Sequence, residues 1–201
     1  MIGRCCRRDT VQTGYNQQPG ISRIDKMKRI ALPAILALIL SGCLGMPETV
    51  TPVENFELNR YLGKWYEIAR LDHSFERGLE RITAEYSMRD DGGVAVVNRG
   101  YSIADEDWEV SEGKAYFVDD ENKGYLKVSF FGPFYGSYVI FEIDQEDYGY
   151  AFVSGPDTSY LWLLSRTPQV QQELIEKFKR MSKERGFDPS KLIFVNHDDS
   201  T

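Results

Sequence analysis

The chain has 201 residues and a formal net charge of -7 at neutral pH, and 42% of its residues are hydrophobic. This length is enough to bury the core of one domain. Because 31 acidic residues outnumber 24 basic ones, the chain is a poor partner for phosphate backbones, and we expect no nucleic-acid partner.

A short export signal is predicted at residues 27–42. It has a charged start at Lys28 and Arg29, a mostly apolar run over 30–40, and small residues before a cysteine. The apolar run is about half of the roughly 20 residues that a helix needs to span a bilayer, so we do not expect a permanent transmembrane helix. Residues 1–26 precede this complete signal, and we expect them to come from an upstream start codon and to be absent from the mature protein.

The end of the signal, Leu40-Ser41-Gly42-Cys43, resembles the lipobox of bacterial lipoproteins. That resemblance implies that Cys43 is the site of lipid attachment, and two or three acyl chains would anchor the protein stably to a membrane. Leu44 at the next position, in place of Asp, favours the bacterial outer membrane, with the domain facing the periplasm. The alternative is a plain secretory signal with an incidental cysteine.

Residues 43–58 contain Pro47 and Pro52, and we predict that they form a short extended tether to a single domain at 59–201. In that domain, strand-like runs alternate with acidic or Gly-rich turns at near-regular intervals, the pattern of an all-β protein. Short connections favour an antiparallel up-and-down β-barrel, and eight strands can enclose one small ligand. The predicted strands are Trp65–Leu71, Ile82–Met88, Val94–Tyr101, Glu109–Phe117, Tyr125–Phe131, Tyr138–Ile143, Tyr150–Ser154 and Leu161–Arg166.

One amphipathic helix is predicted after the last strand, between an N-cap at Thr167-Pro168 and a stop at Gly186. Its opposite side mixes both signs of charge, so we expect its apolar face to pack on the outside of the barrel. That face consists of Val170, Leu174, Phe178 and Met181. A short final strand is predicted at residues 192–195.

The first and last strands of a closed barrel are neighbours, and this brings Trp65 close to Arg166. The first strand begins and the last strand ends at the same end of the barrel when eight strands alternate in direction. A guanidinium stacked on an indole is favourable by about 0.5 to 2 kcal/mol, so this pair would close that end. Gly63 allows the tight backbone approach that precedes the first strand.

The pattern Gly63-x-Trp65, followed by Arg166 before a helix, resembles the lipocalin family, and the similarity covers residues 56–195. Three stretches, 60–70, 129–136 and 160–167, resemble the bacterial outer-membrane lipocalins in particular. The family's middle motif, usually Thr-Asp-Tyr, is present only as Ile143-Asp144-Gln145. The resemblance implies a barrel that binds fatty acids or lysophospholipids in the cell envelope and stores or transports them.

The loops predicted at the other end of the barrel carry most of the aromatic loop residues, so we expect the ligand to enter there. These residues are Phe75, Phe131, Phe134 and Tyr135. They could equally form a patch that touches a membrane or makes a homodimer. We predict Tyr135 as a polar ligand contact at this entrance. Alternation from Arg166 predicts that Tyr160, Trp162 and Leu164 face the ligand from the last strand.

Motifs of catalysis and metal binding are lacking in the sequence, so we expect no enzyme activity, no metal and no cofactor. There is no HExxH, no phosphate loop, no zinc cysteine pair and no Gly-x-Ser-x-Gly. His73 and His197 are far apart in sequence, and we expect them on the surface. Glu67 lies two residues after Trp65, so alternation along the strand places both side chains on the same face. If that face points inward, burial would raise the pKa of the Glu67 carboxyl. Two alternatives remain: the protein could be a lipid-modifying enzyme, or an envelope interaction protein whose barrel is filled by side chains.

Overall fold

The computed structural model describes residues 44–198 of the chain. The predicted leader, the predicted signal and Cys43 therefore lie outside the described residues. The helices within this part are α1 Leu58–Tyr61, α2 Gln172–Glu184 and the 3-10 helix Pro189–Lys191. The strands are β1 Gly63–Arg70, β2 Leu79–Met88, β3 Val94–Ser102, β4 Asp107–Phe117, β5 Tyr125–Ser129, β6 Gly136–Ile143, β7 Tyr150–Ser154, β8 Leu161–Ser165 and β9 Ile193–Phe194.

Strands β1 to β8 form a closed antiparallel barrel in which each strand pairs with the next along the chain. Strand β1 closes the barrel because it pairs with β2 and with β8. The short strand β9 pairs with the end of β1 at Ala69 and Arg70, beyond the residues that pair with β2. The predicted eight-stranded up-and-down barrel is confirmed. We call the end at which β1 begins the closed end, and the opposite end the open end.

Alternation along the strands separates two apolar layers. One layer lines the inside of the barrel and includes Trp65 and Ile140, which are both fully buried. The other layer lies between the outer face of the barrel and α2. At its centre the rings of Phe152 and Phe178 lie 4.8 Å apart. Helix α2 therefore packs through the face that its apolar spacing predicts.

The helix begins later than predicted. Thr167 does not cap it, because its hydroxyl donates to the carbonyl of Gln169 at 2.7 Å and its N–H donates to the Ser165 hydroxyl at 3.1 Å. These bonds hold a turn after β8, and α2 starts only at Gln172. Gly186 follows the helix with a φ of +83°, in agreement with its predicted role as a stop.

Residues 44–58, predicted as an extended tether, are part of the folded domain. Val50 and Phe56 are each 3% exposed, and the Val53 N–H donates to the Ile140 carbonyl at 2.9 Å. Burying a side chain of this size contributes roughly 1.5 to 3 kcal/mol, which offsets much of the entropy that a free linker would keep. The tether prediction therefore fails for these residues.

This packed segment runs along the outside of β5 and β6. Near its start, the Gly45 N–H donates to the hydroxyl of Ser137, the second residue of β6, at 2.9 Å. At its end, the Phe56 N–H donates to the Asn122 carbonyl at 2.8 Å, in the loop before β5. Strand β6 begins at the open end and that loop lies at the closed end, so the segment spans the height of the barrel.

Candidate functional site

The closed end of the barrel is sealed by Trp65 and Arg166. Trp65 is fully buried, and the guanidinium carbon of Arg166 lies 3.9 Å from its ring centroid. The same guanidinium donates to the backbone carbonyls of Arg60, Leu62 and Lys64 at 2.7, 2.9 and 2.9 Å, and to that of Tyr148 at 3.4 Å. The first three carbonyls lie between α1 and the start of β1, so one cation holds the entry segment against the end of β8.

Gly63 lets the backbone turn from α1 into β1. Its φ of +91° is one that residues with a side chain rarely adopt. The turn brings the Tyr61 carbonyl within 2.7 Å of the Trp65 indole nitrogen, which donates to it. Gly63, Trp65 and Arg166, predicted as the closing residues, therefore lie together in one network.

Three tyrosines form an aromatic floor inside the barrel. The Tyr138 hydroxyl lies 2.7 Å from the Tyr61 hydroxyl and 2.9 Å from the Tyr86 hydroxyl. Burial raises the pKa of all three groups, so they stay uncharged. Each hydroxyl has a hydrogen-bond partner among the other two, so the polar atoms of this aromatic floor are satisfied.

Above this floor, inward-facing side chains line the lumen, by which we mean the inside of the barrel toward the open end. They face the interior and are nevertheless only half-buried, so they present surface within the lumen. These residues are Ala84, Asn98, Val128, Phe130 and Trp162, together with Tyr138 of the floor itself. Most of this lining is apolar or aromatic, with a few polar atoms, as in small-molecule sites.

Comparison with known proteins assigns this arrangement to a family, because residues 56–197 match the Lipocalin-like domain. The chain belongs to the lipocalin family. It is 66% identical over 161 residues to the outer membrane lipoprotein Blc of Vibrio cholerae. This match covers 80% of this chain and 94% of that protein. It is 54% identical over 149 residues to the protein of the same name from Escherichia coli K12. This match covers 74% of this chain and 84% of that protein. The predicted family and outer-membrane location are confirmed by these relatives.

A solved lipocalin structure agrees with the fold. Insecticyanin from the tobacco hornworm Manduca sexta superposes with a TM-score of 0.62 at 22% identity. The superposition covers 78% of this chain and 88% of that chain. At this identity the likeness supports the barrel architecture alone.

The lipocalin lumen of this chain holds a buried charged cluster near the open end, formed by Glu67, Arg70 and Glu76. Their exposed fractions are 3%, 2% and 7%. Arg70 donates to the Glu67 carboxylate at 3.0 Å and to the Glu76 backbone carbonyl at 2.7 Å. The Trp162 indole donates to the Glu76 carboxylate at 3.2 Å. These bonds hold the loop after β1 folded over the lumen.

The charges in this cluster are unequal, because two carboxyl groups face one guanidinium. Burial is the main cause of a raised pKa at both Glu67 and Glu76, and the charge of Glu76 raises the pKa of Glu67 further. Arg70 acts in the opposite direction on both acids. The pair therefore holds a proton more strongly than exposed carboxyl groups do, and a shared proton brings the cluster close to neutrality.

Sequence alternation predicts Glu67 to face inward but misses Arg70. Strand β1 shifts its register between Glu67 and Ala69, and this bulge turns Arg70 to the inside, opposite Trp162. Strict alternation would have placed Arg70 outside. A bulge of one residue leaves no clear mark in the sequence, although the recurrence of ionisable residues at every third position, 67, 70, 73 and 76, is an available signal.

His73 contradicts the expectation of a surface position. It is 7% exposed, and its ring stacks on that of Phe75 with centroids 4.1 Å apart. Its Nε2 lies 3.1 Å from the Glu76 carboxylate. Burial lowers the pKa of His73 to about 4, so the ring is uncharged at neutral pH.

The structure brings three of the predicted ligand residues together and separates the fourth. Trp162 and Leu164 face the lumen, and the Tyr160 ring stacks beside Trp162 with centroids 6.2 Å apart. The Tyr135 ring instead lies 5.4 Å from the ammonium of Lys127, which is on the outer face of β5. The position of Tyr135 therefore does not support the predicted contact at the entrance.

Residues 44–198 hold no group of three or more His, Cys, Asp or Glu side chains placed to bind a metal ion. None of the helices in this part of the chain has the length and apolar character needed to cross a bilayer. A pocket of about 200 Å³ lies beside β9 at the open end, and Leu79, Ile103 and Phe194 are among the residues that line it.

Proposed function

We propose that this lipocalin binds one small amphiphile, a fatty acid or a lysophospholipid, and stores or transports it in the cell envelope. The observation that carries this proposal is the half-buried apolar lining of the lumen, which includes Val128, Phe130 and Trp162. An alkyl chain that covers this lining gains about 0.8 kcal/mol for each CH2 removed from water. An eight-stranded barrel encloses room for one such ligand.

The polar end of the amphiphile stays near the open end, where the charged cluster lies. Arg70 and Glu76 supply polar groups there, and the Arg70 Nε, which makes no hydrogen bond within the described residues, lies 3.8 Å from the Glu76 carboxylate. A ligand with one alkyl chain and one polar end matches a lumen with an aromatic floor and a polar wall beside its entrance.

The proposal includes a lipid anchor at Cys43 that holds the domain at the outer membrane, on its periplasmic side. The lipobox pattern and the similarity to proteins named outer membrane lipoprotein Blc support this part. Acylation at this position keeps the barrel within reach of its proposed ligands. N-terminal analysis of the membrane-bound protein tests it, since recovery of Arg7 or Tyr15 would show that the signal had not been removed.

Titration with a long-chain fatty acid, followed by tryptophan fluorescence, tests ligand binding. Trp162 is half-buried in the lumen, so its emission should change and saturate at one ligand per barrel. Trp162→Phe should remove most of the change. Trp108→Phe is the matched control, because Trp108 is 49% exposed on the outer face of β4.

Two outcomes would contradict the proposal. A signal that never saturates would favour a barrel filled by its own side chains. An unchanged response in Trp162→Phe would show that the ligand does not enter the lumen. Incubation with a lysophospholipid, with free fatty acid measured, separates binding from hydrolysis, and steady release would favour the lipid-modifying enzyme.

A further inference from the structure

We propose that the open end of the barrel rests on the membrane surface along its β5–β6 side. This orientation depends on the proposed acylation of Cys43. It also specifies which surface of the domain contacts the lipid. The contact surface, which we call the rim patch, consists of Leu44, Phe131, Phe134, Lys114 and Lys127.

The first argument is the short distance between the anchor and the barrel. Gly45 is hydrogen-bonded to Ser137 at the open end, and only Leu44 separates it from the proposed anchor residue. Because consecutive Cα atoms are about 3.8 Å apart, chain connectivity limits the reach of the anchor from Gly45 to about 8 Å. The residues that follow are also fixed, since Val50 is buried and the Thr49 hydroxyl donates to the Arg185 carbonyl at 2.6 Å. Strand β6 has eight residues and is about 26 Å long, so the anchor cannot reach the closed end.

The second argument is the exposure of large apolar side chains next to this anchor. The loop between β5 and β6 exposes 81% of Phe131 and 63% of Phe134, and Leu44 is 46% exposed. Exposed apolar patches of this kind mark interaction sites. Phe and Leu are among the side chains that proteins bury at the interface between water and lipid.

The third argument is the distribution of charge. Lys114 and Lys127 lie on the outer faces of β4 and β5, opposite Ser129 and Ser137 respectively. Basic residues close to an anionic membrane are attracted to its surface. The strongly acidic loop at 119–124 lies at the closed end and would point away from the lipid, whereas the acidic turn at 105–107 lies at the open end between β3 and β4, outside the rim patch.

These observations favour a bilayer over a second copy of the chain, because the anchor places lipid next to the rim patch in every molecule. The orientation also has a consequence for ligand transfer. With the open end on the membrane, an amphiphile passes between the bilayer and the lumen with little exposure of its alkyl chain to water.

Site-specific labelling of the acylated protein in vesicles tests this orientation. The mature protein would have no free thiol, since Cys5 and Cys6 precede the processing site and Cys43 is acylated. Phe134→Cys therefore creates one labelling site at the rim patch, and Glu121→Cys creates a matched site at the closed end. Each variant is labelled with a small environment-sensitive dye and inserted into vesicles of phosphatidylethanolamine and phosphatidylglycerol that carry a headgroup quencher.

We expect quenching at position 134 to be several-fold stronger than at position 121. Equal quenching, or stronger quenching at position 121, would overturn the proposed orientation. Self-quenching at position 134 that rises with protein density, without quenching by the lipid, would assign the patch to a second copy and would also overturn it. Flotation of the vesicles tests the anchor separately, because protein left behind would refute acylation of Cys43.

Discussion

Replacement of Arg166 gives the sharpest test of how the barrel is closed. Arg166→Ala removes the cation above Trp65 and the hydrogen bonds to the carbonyls of Arg60, Leu62 and Lys64, together with a longer one to the carbonyl of Tyr148. Arg166→Lys keeps the positive charge but loses the fork of donors, because one ammonium cannot reach three carbonyls that converge on a planar guanidinium.

The magnitude follows from the contacts. Stacking on the indole contributes about 0.5 to 2 kcal/mol, and hydrogen bonds to a charged group contribute about 1.5 to 3 kcal/mol each. Arg166 is only half-buried, so water replaces part of what the alanine variant loses. We therefore expect Arg166→Ala to lower the free energy of unfolding by about 3 kcal/mol and Arg166→Lys by about 2 kcal/mol. The whole domain has a stability of about 5 to 15 kcal/mol, so both losses are large.

Urea unfolding followed by circular dichroism measures these losses without relying on the emission of Trp65 itself. Arg180→Ala on the exposed side of α2 is the control, and we expect it to change stability by less than about 0.5 kcal/mol. A loss below about 0.5 kcal/mol for Arg166→Ala, or full restoration by lysine, would refute the role given to the guanidinium fork.

Two further predictions concern stability. Gly63→Ala should cost about 1 to 2 kcal/mol because alanine is strained at a φ of +91°. Gly136→Ala should cost little, since an added Cβ there contacts nothing within 4 Å, and equal losses in urea unfolding would contradict the strain argument. His73 has a pKa of about 4 in the folded state, against 6.5 ordinarily, so its neutral form stabilises the fold above pH 6.5 and this stabilisation is lost as the pH falls toward 4. Unfolding measured at pH 7 and pH 4.5 should show the wild type losing about 1 to 2 kcal/mol more than His73→Phe, and identical losses would contradict the assignment.

The barrel and its closing residues could be predicted because each depends on a simple rule. Turn residues at regular intervals predict the number of strands, and closure of an even number of alternating strands makes the first and last neighbours. Those two rules alone bring Trp65 to Arg166. The apolar spacing of α2 likewise predicts the face that packs around Phe178.

The remaining features depend on single contacts that local patterns do not encode. The bulge after Glu67 reverses the alternation and turns Arg70 inward, so the charged cluster could not be assembled from parity alone. Val50 and Phe56 are isolated apolar residues in a segment that contains two prolines, and only the barrel surface shows that they are buried. Loop position predicts Tyr135 at the entrance, whereas its ring lies beside Lys127 on the outer face of β5.

The central claim, that the lumen holds an amphiphile, is tested most directly by mass spectrometry of lipid that copurifies with the protein from its own membrane. We expect about one fatty acid or lysophospholipid per barrel. Val128→Trp, which fills the lumen, should lose this lipid, whereas Val97→Trp, on the outer face of β3, should keep it. Absence of bound lipid in the wild type, or equal amounts in both variants, would contradict the account.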